Sequence, residues 1–274
     1  MVASRRGKFA GSRATARAKL KKVRMALATS DAPKGSGLKT VIDTLIAPKD
    51  AFEALRVVPT WGWALTIALV LMVLGYFLQQ PAAQHAALGT LAHAVATNPL
   101  YTNLSDEQKK QMLDRVIHPP AYQTALGLIS LVLVLFVSTL LNAVILLAAN
   151  AIAHGKADFK RLFAGSMNIA VPTIALYSIT LGVICRILGA EHFATMGDVL
   201  RTTPGLALLA PGATGKLATF LAGIQIFTLW GFGLNIVMMR VTAGVKNALS
   251  WVFPLFILIA GAALQAAASG FYGG

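Results

Sequence analysis

The sequence predicts an all-α polytopic membrane protein: a bundle of five transmembrane helices, with short interfacial helices before the first span and in the first outer loop. Apolar residues make up 56% of the 274 residues and charged residues only 12%, whereas about a quarter of the residues of a soluble domain are charged. Runs of about 18 or more apolar residues are long enough to cross the hydrocarbon of a bilayer. Five such spans lie at about 61–78, 125–149, 169–188, 217–239 and 248–268.

The first 37 residues predict a basic disordered tail, because they contain nine Lys or Arg before the first acid, Asp31, and few large apolar residues. We expect this tail to lie on anionic lipid, where each basic residue contributes about 1 kcal/mol. A mitochondrial transit peptide has a similar composition and remains the alternative. The membrane domain then covers residues 38–274.

Two short helices are predicted before the first span. Apolar residues recur at three- and four-residue spacing over 38–46, which is typical of a helix with one apolar face. Pro48 opens a second helix, since proline is favoured at the first helical position. Phe52 and Leu55 are its expected apolar contacts, and Pro59 ends it. We interpret the pair as interfacial helices.

The first span, 61–78, contains no charge and has aromatic residues near both ends, as expected for side chains at headgroup level. A polar outer stretch, 79–120, follows it. Two helical patterns occur there, at 83–96 and 105–117. The second begins at a capping box, in which Ser105 and Gln108 each bond a free backbone N–H.

The distribution of positive charge predicts the orientation. Placing the N-terminus inside puts eighteen of the 24 basic residues on the inner side and six outside, as the positive-inside rule requires. The C-terminus is then outside.

Side chains for catalysis or charge transport are missing from the predicted spans, which contain no Asp, Glu, Lys or His. Since ionisable residues in hydrocarbon mark proton relays and ion paths, this pattern argues against a pump or a charge-lined channel. The single Cys185 predicts a small buried hydrophobe, and the five histidines show no metal-ligand spacing. We therefore expect no enzyme activity, cofactor or metal.

Uncharged polar residues and one proline remain as candidate positions within the spans: Asn142, Asn168, Pro172, Tyr177, Gln225 and Asn235. One interpretation is structural, with amides joining neighbouring helices and Pro172 kinking the third span. The other is a polar cavity near Asn142, Asn168 and Asn235 that holds or passes a lipid headgroup or small solute.

A short internal similarity links the second and fourth spans. Residues 141–145 (LNAVI) resemble residues 234–238 (LNIVM), and each segment precedes a span that contains a proline, Pro172 or Pro254. Two parallel copies of one hairpin, as in some transporters, or coincidence would explain the match.

Three segments of the chain resemble the YIP family of five-span membrane proteins, named for interaction with Ypt/Rab GTPases. They are the lead into the first span with Pro48, Phe52 and Pro59, the outer helix at 105–109, and the inner loop with Gly155 and Phe159 followed by Pro172. Eukaryotic members usually have Asp-Leu-Tyr-Gly-Pro before the first span, where this chain has VVPTW at 57–61. The resemblance is therefore to bacterial members, which implies the cytoplasmic membrane.

These observations predict a non-catalytic membrane protein that organises lipid or partner proteins through its basic inner face. A second membrane protein or another copy of the chain is an expected partner; nucleic acid is not. The alternative is a transporter or lipid-moving protein with a polar cavity among spans 2–5.

Overall fold

The computed structural model describes residues 37–97, 101 and 103–269, so the predicted basic tail lies outside it except for Gly37. The all-α class is confirmed for the described residues, which form helices joined by short connections. The helices are α1 (Gly37–Ile46), α2 (Pro48–Val57), α3 (Gly62–Thr97), α4 (Asp106–Ile117), α5 (Ala121–Ile152), α6 (Phe159–Ala170), α7 (Leu176–Leu188), α8 (Met196–Arg201), α9 (Gly215–Gly223), α10 (Ile226–Val241) and α11 (Leu249–Ser269).

Among the described residues, four helical segments are long and apolar enough to cross a membrane: Gly62–Ala96, Ala121–Ile152, Phe159–Leu188 and Leu249–Ala268. Many of their large apolar side chains face outward. On α5, for example, Leu126 and Leu133 are 59% and 58% exposed. Such faces are stable against lipid but not against water. The chain is therefore a multi-pass integral membrane protein.

The first predicted span is longer than its apolar run. The sequence predicts a span at 61–78 and a separate helix at 83–96, but α3 continues through both, with Pro81 inside it. Its 36 residues extend about 54 Å at 1.5 Å per residue, well beyond a hydrocarbon core of about 30 Å. The hydropathy pattern therefore showed where the apolar part of the helix ends, not where the helix itself ends. The helix continues because its second half is rich in alanine, a strong helix former.

The third predicted span, 169–188, begins ten residues earlier than expected, at the start of α6. A π turn, Val171–Ala175, joins α6 to α7 and contains Pro172. Proline lacks the N–H of a regular helical bond, and a π turn is one way in which a helix accommodates that loss.

The fourth predicted span, 217–239, was wrong as a continuous helix. The helix stops at Gly223 and restarts at Ile226, giving α9 and α10, with Ile224 and Gln225 between them. The fifth prediction, 248–268, agrees closely with α11, and the second, 125–149, lies within α5.

The two short helices predicted before the first span are present as α1 and α2, and α2 packs against α6 and α10. Phe52 and Leu55 are fully buried there, as expected. The hydroxyl of Thr242, just after α10, donates to the carbonyl of Phe52 at 3.2 Å. The backbone N–H of Lys156, in the loop after α5, donates to Ala243 at 2.8 Å. The α2 helix and the loops after α5 and α10 therefore share one end of the bundle.

Candidate functional site

A cavity of about 460 Å³ lies among α5, the α6–π–α7 segment, α9, α10 and α11. Its lining is mostly apolar, and none of the described residues that form it is charged. The polar lining residues are Ser138, Thr139, Asn142, Ser166, Thr173, Thr228, Asn235 and Gln265.

A hydrogen-bonded cluster joins three helices at this cavity. The Asn142 Nδ2 group on α5 donates to Ser166 Oγ on α6 at 2.8 Å and to Asn235 Oδ1 on α10 at 3.1 Å. Asn235 and Ser166 are only 5% and 3% exposed. The pairing leaves Asn142 Oδ1 as an acceptor and Asn235 Nδ2 as a donor for a third group.

The hydroxyls of the lining are mostly directed at their own helices. Thr139 donates to the Leu135 carbonyl at 2.6 Å, and Thr173 donates to the Ile169 carbonyl at 2.8 Å. Serine and threonine commonly satisfy themselves in this way within apolar helices. The amides and Ser166 are therefore the groups that present hydrogen-bonding capacity to the cavity.

The break between α9 and α10 forms part of the cavity wall, since Gly223 and Thr228 both line it. Gln225 is 4% exposed and caps α10, its Oε1 accepting from the Phe227 N–H at 2.7 Å. The Gln225 N–H donates to Thr228 Oγ1 at 3.0 Å. These side chains satisfy backbone groups that a continuous helix would have paired.

A loop from the connector after α8 pairs with the broken segment as a short antiparallel bridge between Gly205 and Gln225. The Leu206 N–H donates to Ile224 at 3.0 Å, and the Ile226 N–H donates to the Pro204 carbonyl at 3.1 Å. The predicted spans at 169–188 and 217–239 leave this connector between them as an outer loop. The non-helical backbone of the break is buried by protein, since Ile224 and Gln225 are only 7% and 4% exposed.

Of the predicted positions, Gln225 forms one side of this bridge and Tyr177 lies beside it, and neither residue lines the cavity. The Tyr177 ring on α7 packs edge to face on Phe227, with ring centroids 5.9 Å apart. Its side chain also interacts with that of Thr203, which is 2% exposed. Tyr177 thus ties α7 to the start of α10.

Asn168 does not lie at the cavity, and its predicted place there was wrong. It is 1% exposed, and its Nδ2 donates to the carbonyls of Thr60 at 3.0 Å and Ala164 at 2.8 Å. Its neighbour Ile169 lines the cavity, and successive helical residues point about 100° apart. Asn168 instead joins α6 to the segment before α3. Pro172 is buried in the π turn.

The two similar segments, 141–145 and 234–238, meet at the cavity through their asparagines. The hairpin of α5 and α6 packs against the hairpin of α10 and α11, with α5 against α11 and α10 against α6. Asn142 contacts Asn235, and the loops at the ends of α5 and α10 are joined by the Lys156–Ala243 bond. The hairpins therefore run in the same direction. The packing is also reciprocal, because the first helix of each hairpin contacts the second helix of the other.

Two of the segments that carry the family resemblance, the lead into the first span and the inner loop, lie at the C-terminal end of α5. Pro48 starts α2 and Pro59 precedes α3. Phe159 is 41% exposed at the start of α6 and stacks on Phe163.

Gly155 lies in the loop after α5, where a Cβ atom would clash with Asn150 Oδ1. Asn150 is buried and bonds both the N–H and the carbonyl of Ala157. Sequence reasoning missed Asn150 because it had placed that residue outside the span.

The described residues contain no group of three or more His, Cys, Asp or Glu that could hold a metal ion. Cys185 is buried in a cluster with Phe193 and Val199, as expected of a small hydrophobe. Comparisons with protein-family models, curated proteins and solved structures found no match to the chain. The geometry of the cavity therefore carries the functional argument.

Proposed function

We propose that the protein is a non-catalytic membrane protein that holds the polar end of an uncharged lipid in the cavity between α5 and the broken α9–α10 segment. The observation that carries the proposal is the Asn142–Ser166–Asn235 cluster at a cavity lined without charge. Pockets of 300–1,000 Å³ with a few polar groups in an apolar lining are typical ligand sites.

The absence of charged residues in the lining determines which class of ligand fits the cavity. A phosphate or ammonium group would enter the cavity without a counter-ion, which costs several kcal/mol in a low-dielectric site. A hydroxyl, ester or amide needs only a donor and an acceptor, which Asn235 Nδ2 and Asn142 Oδ1 provide. The ligand is thus a lipid with a neutral hydrogen-bonding head.

The cavity is placed to admit such a ligand from the bilayer. Val134 lines it and is 55% exposed on the outer face of α5. Gly261 on α11 also lines it, and no heavy atom lies within 4 Å of the position that a Cβ would take. Lipid tails could remain among the bilayer chains while the head occupies the cavity.

The topology belongs to the same proposal. Five crossings result if α9 and α10 together form one discontinuous span, a feature of helices at transporter binding sites. The positive-inside rule then places the N-terminus in the cytoplasm and the C-terminus outside. A bacterial cytoplasmic membrane fits the YIP-like pattern of Pro48, Phe52, Pro59, Gly155 and Phe159.

Organisation of anionic lipid or of partner proteins at the inner end is a second function, which uses a different surface. Lys156 and Lys160 are exposed there. Beside them lies a row of three aromatic rings, in which the centroid of the Phe163 ring is 5.8 Å from the centroids of both Phe159 and Trp61. Basic residues with exposed rings suit anionic headgroups. The tail predicted to add to this surface lies outside the described residues.

Filling the cavity tests the proposal. We expect Gly261→Leu to weaken binding of diacylglycerol, an uncharged lipid, at least about fivefold, because a clash of about 1–3 kcal/mol converts to a change in affinity of about 5- to 150-fold. Gly233→Leu is the matched control, since Gly233 lies on α10 outside the cavity and its Cβ position is also open. Binding to the purified protein in neutral detergent is measured by native mass spectrometry. Equal binding by the wild type and Gly261→Leu would contradict the proposal.

Cysteine accessibility separates a lipid-holding site from a transport path. In a Cys185→Ala background, we expect Asn142→Cys to react with membrane-permeant N-ethylmaleimide at least tenfold faster than Leu135→Cys, which is fully buried on the same helix. A charged water-soluble thiol reagent should modify neither. Rapid modification of Asn142→Cys by the charged reagent would instead support a water-filled transport path.

A further inference from the structure

A second pocket, of about 360 Å³, lies between α3, the end of α4 and the start of α5. Its polar lining consists of Arg115, Tyr76, Thr124 and three glutamines, Gln80, Gln84 and Gln123. It shares no residue with the cavity described above. Unlike that cavity, it contains a formal positive charge.

The sequences of α3 and α5 independently indicate the level of this pocket within the bilayer. On α3, Tyr76 belongs to the end of the uncharged apolar run and Gln80 to the polar continuation. On α5, Gln123 and Thr124 come directly before the apolar run. Both transitions mark the edge of the hydrocarbon, where headgroups lie and tyrosine is enriched.

A close contact between α3 and α5 positions Tyr76, which lines the pocket. A Cβ on Gly127 would lie 2.5 Å from the Tyr76 hydroxyl, so only glycine allows the tyrosine to lie this close to α5. The α4 helix packs on α3 and contributes Arg115, in its last turn, to the lining of the pocket.

The charge of Arg115 is not neutralised within the described part of the chain, where no ion pair includes it. Asp114 is adjacent in sequence but does not line the pocket. A guanidinium group binds phosphate oxygens through paired N–H donors. The glutamine amides and the two hydroxyls add donors and acceptors suited to ester and glycerol oxygens.

We infer that this pocket binds a phosphate-bearing headgroup, with Arg115 on the phosphate and the glutamines on the ester oxygens. The phosphate could belong to an anionic phospholipid of the same leaflet or to a soluble phosphate ester. This site is independent of the neutral cavity, because its ligand is anionic rather than uncharged and because the two sites share no lining residue.

Charge-matched variants test the inference. We expect Arg115→Gln in the full chain to bind phosphatidylglycerol about fivefold more weakly, since one basic residue near a headgroup contributes about 1 kcal/mol. Lys110→Gln removes the same charge from an exposed position of α4 outside the pocket and should bind as the wild type. Gln80→Leu, which leaves the charge unchanged, should weaken binding two- to fivefold through one lost hydrogen bond.

Native mass spectrometry in neutral detergent measures the bound lipid, and diacylglycerol serves as the phosphate-free comparison. Displacement of phosphatidylglycerol by glycerol phosphate as effectively as by lipid would assign the pocket to a soluble phosphate ester; retention of the lipid assigns it to the membrane. Equal losses for Arg115→Gln and Lys110→Gln, or no loss for either, would overturn the inference. Loss of diacylglycerol binding in Gly261→Leu bears only on the neutral cavity, so the two proposals fail separately.

Discussion

Gly75→Ala is expected to lower the free energy of unfolding by about 3 kcal/mol, the upper range for overpacking a tight contact. Gly75 on α3 faces Ser178 on α7, and an added Cβ would lie 2.6 Å from the carbonyl carbon and oxygen of Ser178. Those atoms are backbone, so the whole helix must move. Gln79, one turn further along α3, donates to the same carbonyl at 2.9 Å, and this bond would be lost as the helices separate.

The α3–α7 contact depends on small residues on both helices. A Cβ on Gly182 would lie 3.0 Å from the Gly75 carbonyl, and Ser178 and Gly182 form the small-xxx-small spacing that lets membrane helices approach closely. Sodium dodecyl sulfate titration of the protein in mixed micelles measures the effect. Gly233→Ala, a helical position with no heavy atom within 4 Å, should be neutral or stabilise by less than about 1 kcal/mol. A Gly75→Ala variant as stable as this control would contradict the close approach.

The elements that the sequence predicts well are those decided within one or two turns. The capping box of Ser105 and Gln108 is present at the start of α4, with Gln108 N–H donating to Ser105 Oγ at 3.2 Å. Pro48 starts α2, and the uncharged run of α5 forms a helix as expected. In each case the signal and the structure that it specifies occupy the same short stretch of chain.

The break in the fourth span could not be predicted in this way. Residues 217–239 carry no charge and are mostly apolar, and hydropathy does not distinguish a continuous helix from two shorter ones. The break is stabilised by the backbone of Pro204 and Leu206, which comes from an earlier loop. Only the buried polar side chain of Gln225 signals it locally, and an amide in a span is equally typical of a helix–helix contact.

The candidate site was predicted in part for a related reason. Asn142 and Asn235 stand out as amides in apolar runs, and the structure brings them together. Asn168 stands out equally in the sequence, but its side chain bonds to Thr60 instead. The sequence does not show this, because composition does not reveal which face of the α6–π–α7 segment a residue occupies. Ser166, which completes the cluster, carries no distinctive signal, since single serines are common in membrane helices.

Gly205→Ala is expected to lower the free energy of unfolding by about 3 kcal/mol and to abolish lipid binding in the cavity. An added Cβ would lie 2.7 Å from the Ile224 carbonyl oxygen and 2.8 Å from the Gln225 Cα. The loop must then move away from the broken segment, leaving the backbone groups of Ile224 and Ile226 without their partners. Each unsatisfied buried group costs about 1–3 kcal/mol.

The effect on binding follows from the position of the break, because Gly223 and Thr228 on its two sides line the cavity. Gly212→Ala is the matched control in the same connector, where nothing lies within 4 Å of the added Cβ; it should retain both stability and binding. The measurements are denaturant titration in mixed micelles and diacylglycerol retention by native mass spectrometry. A Gly205→Ala variant that loses stability but still binds the lipid would separate the broken span from the ligand site, and the cavity would then depend on the Asn142–Ser166–Asn235 cluster alone.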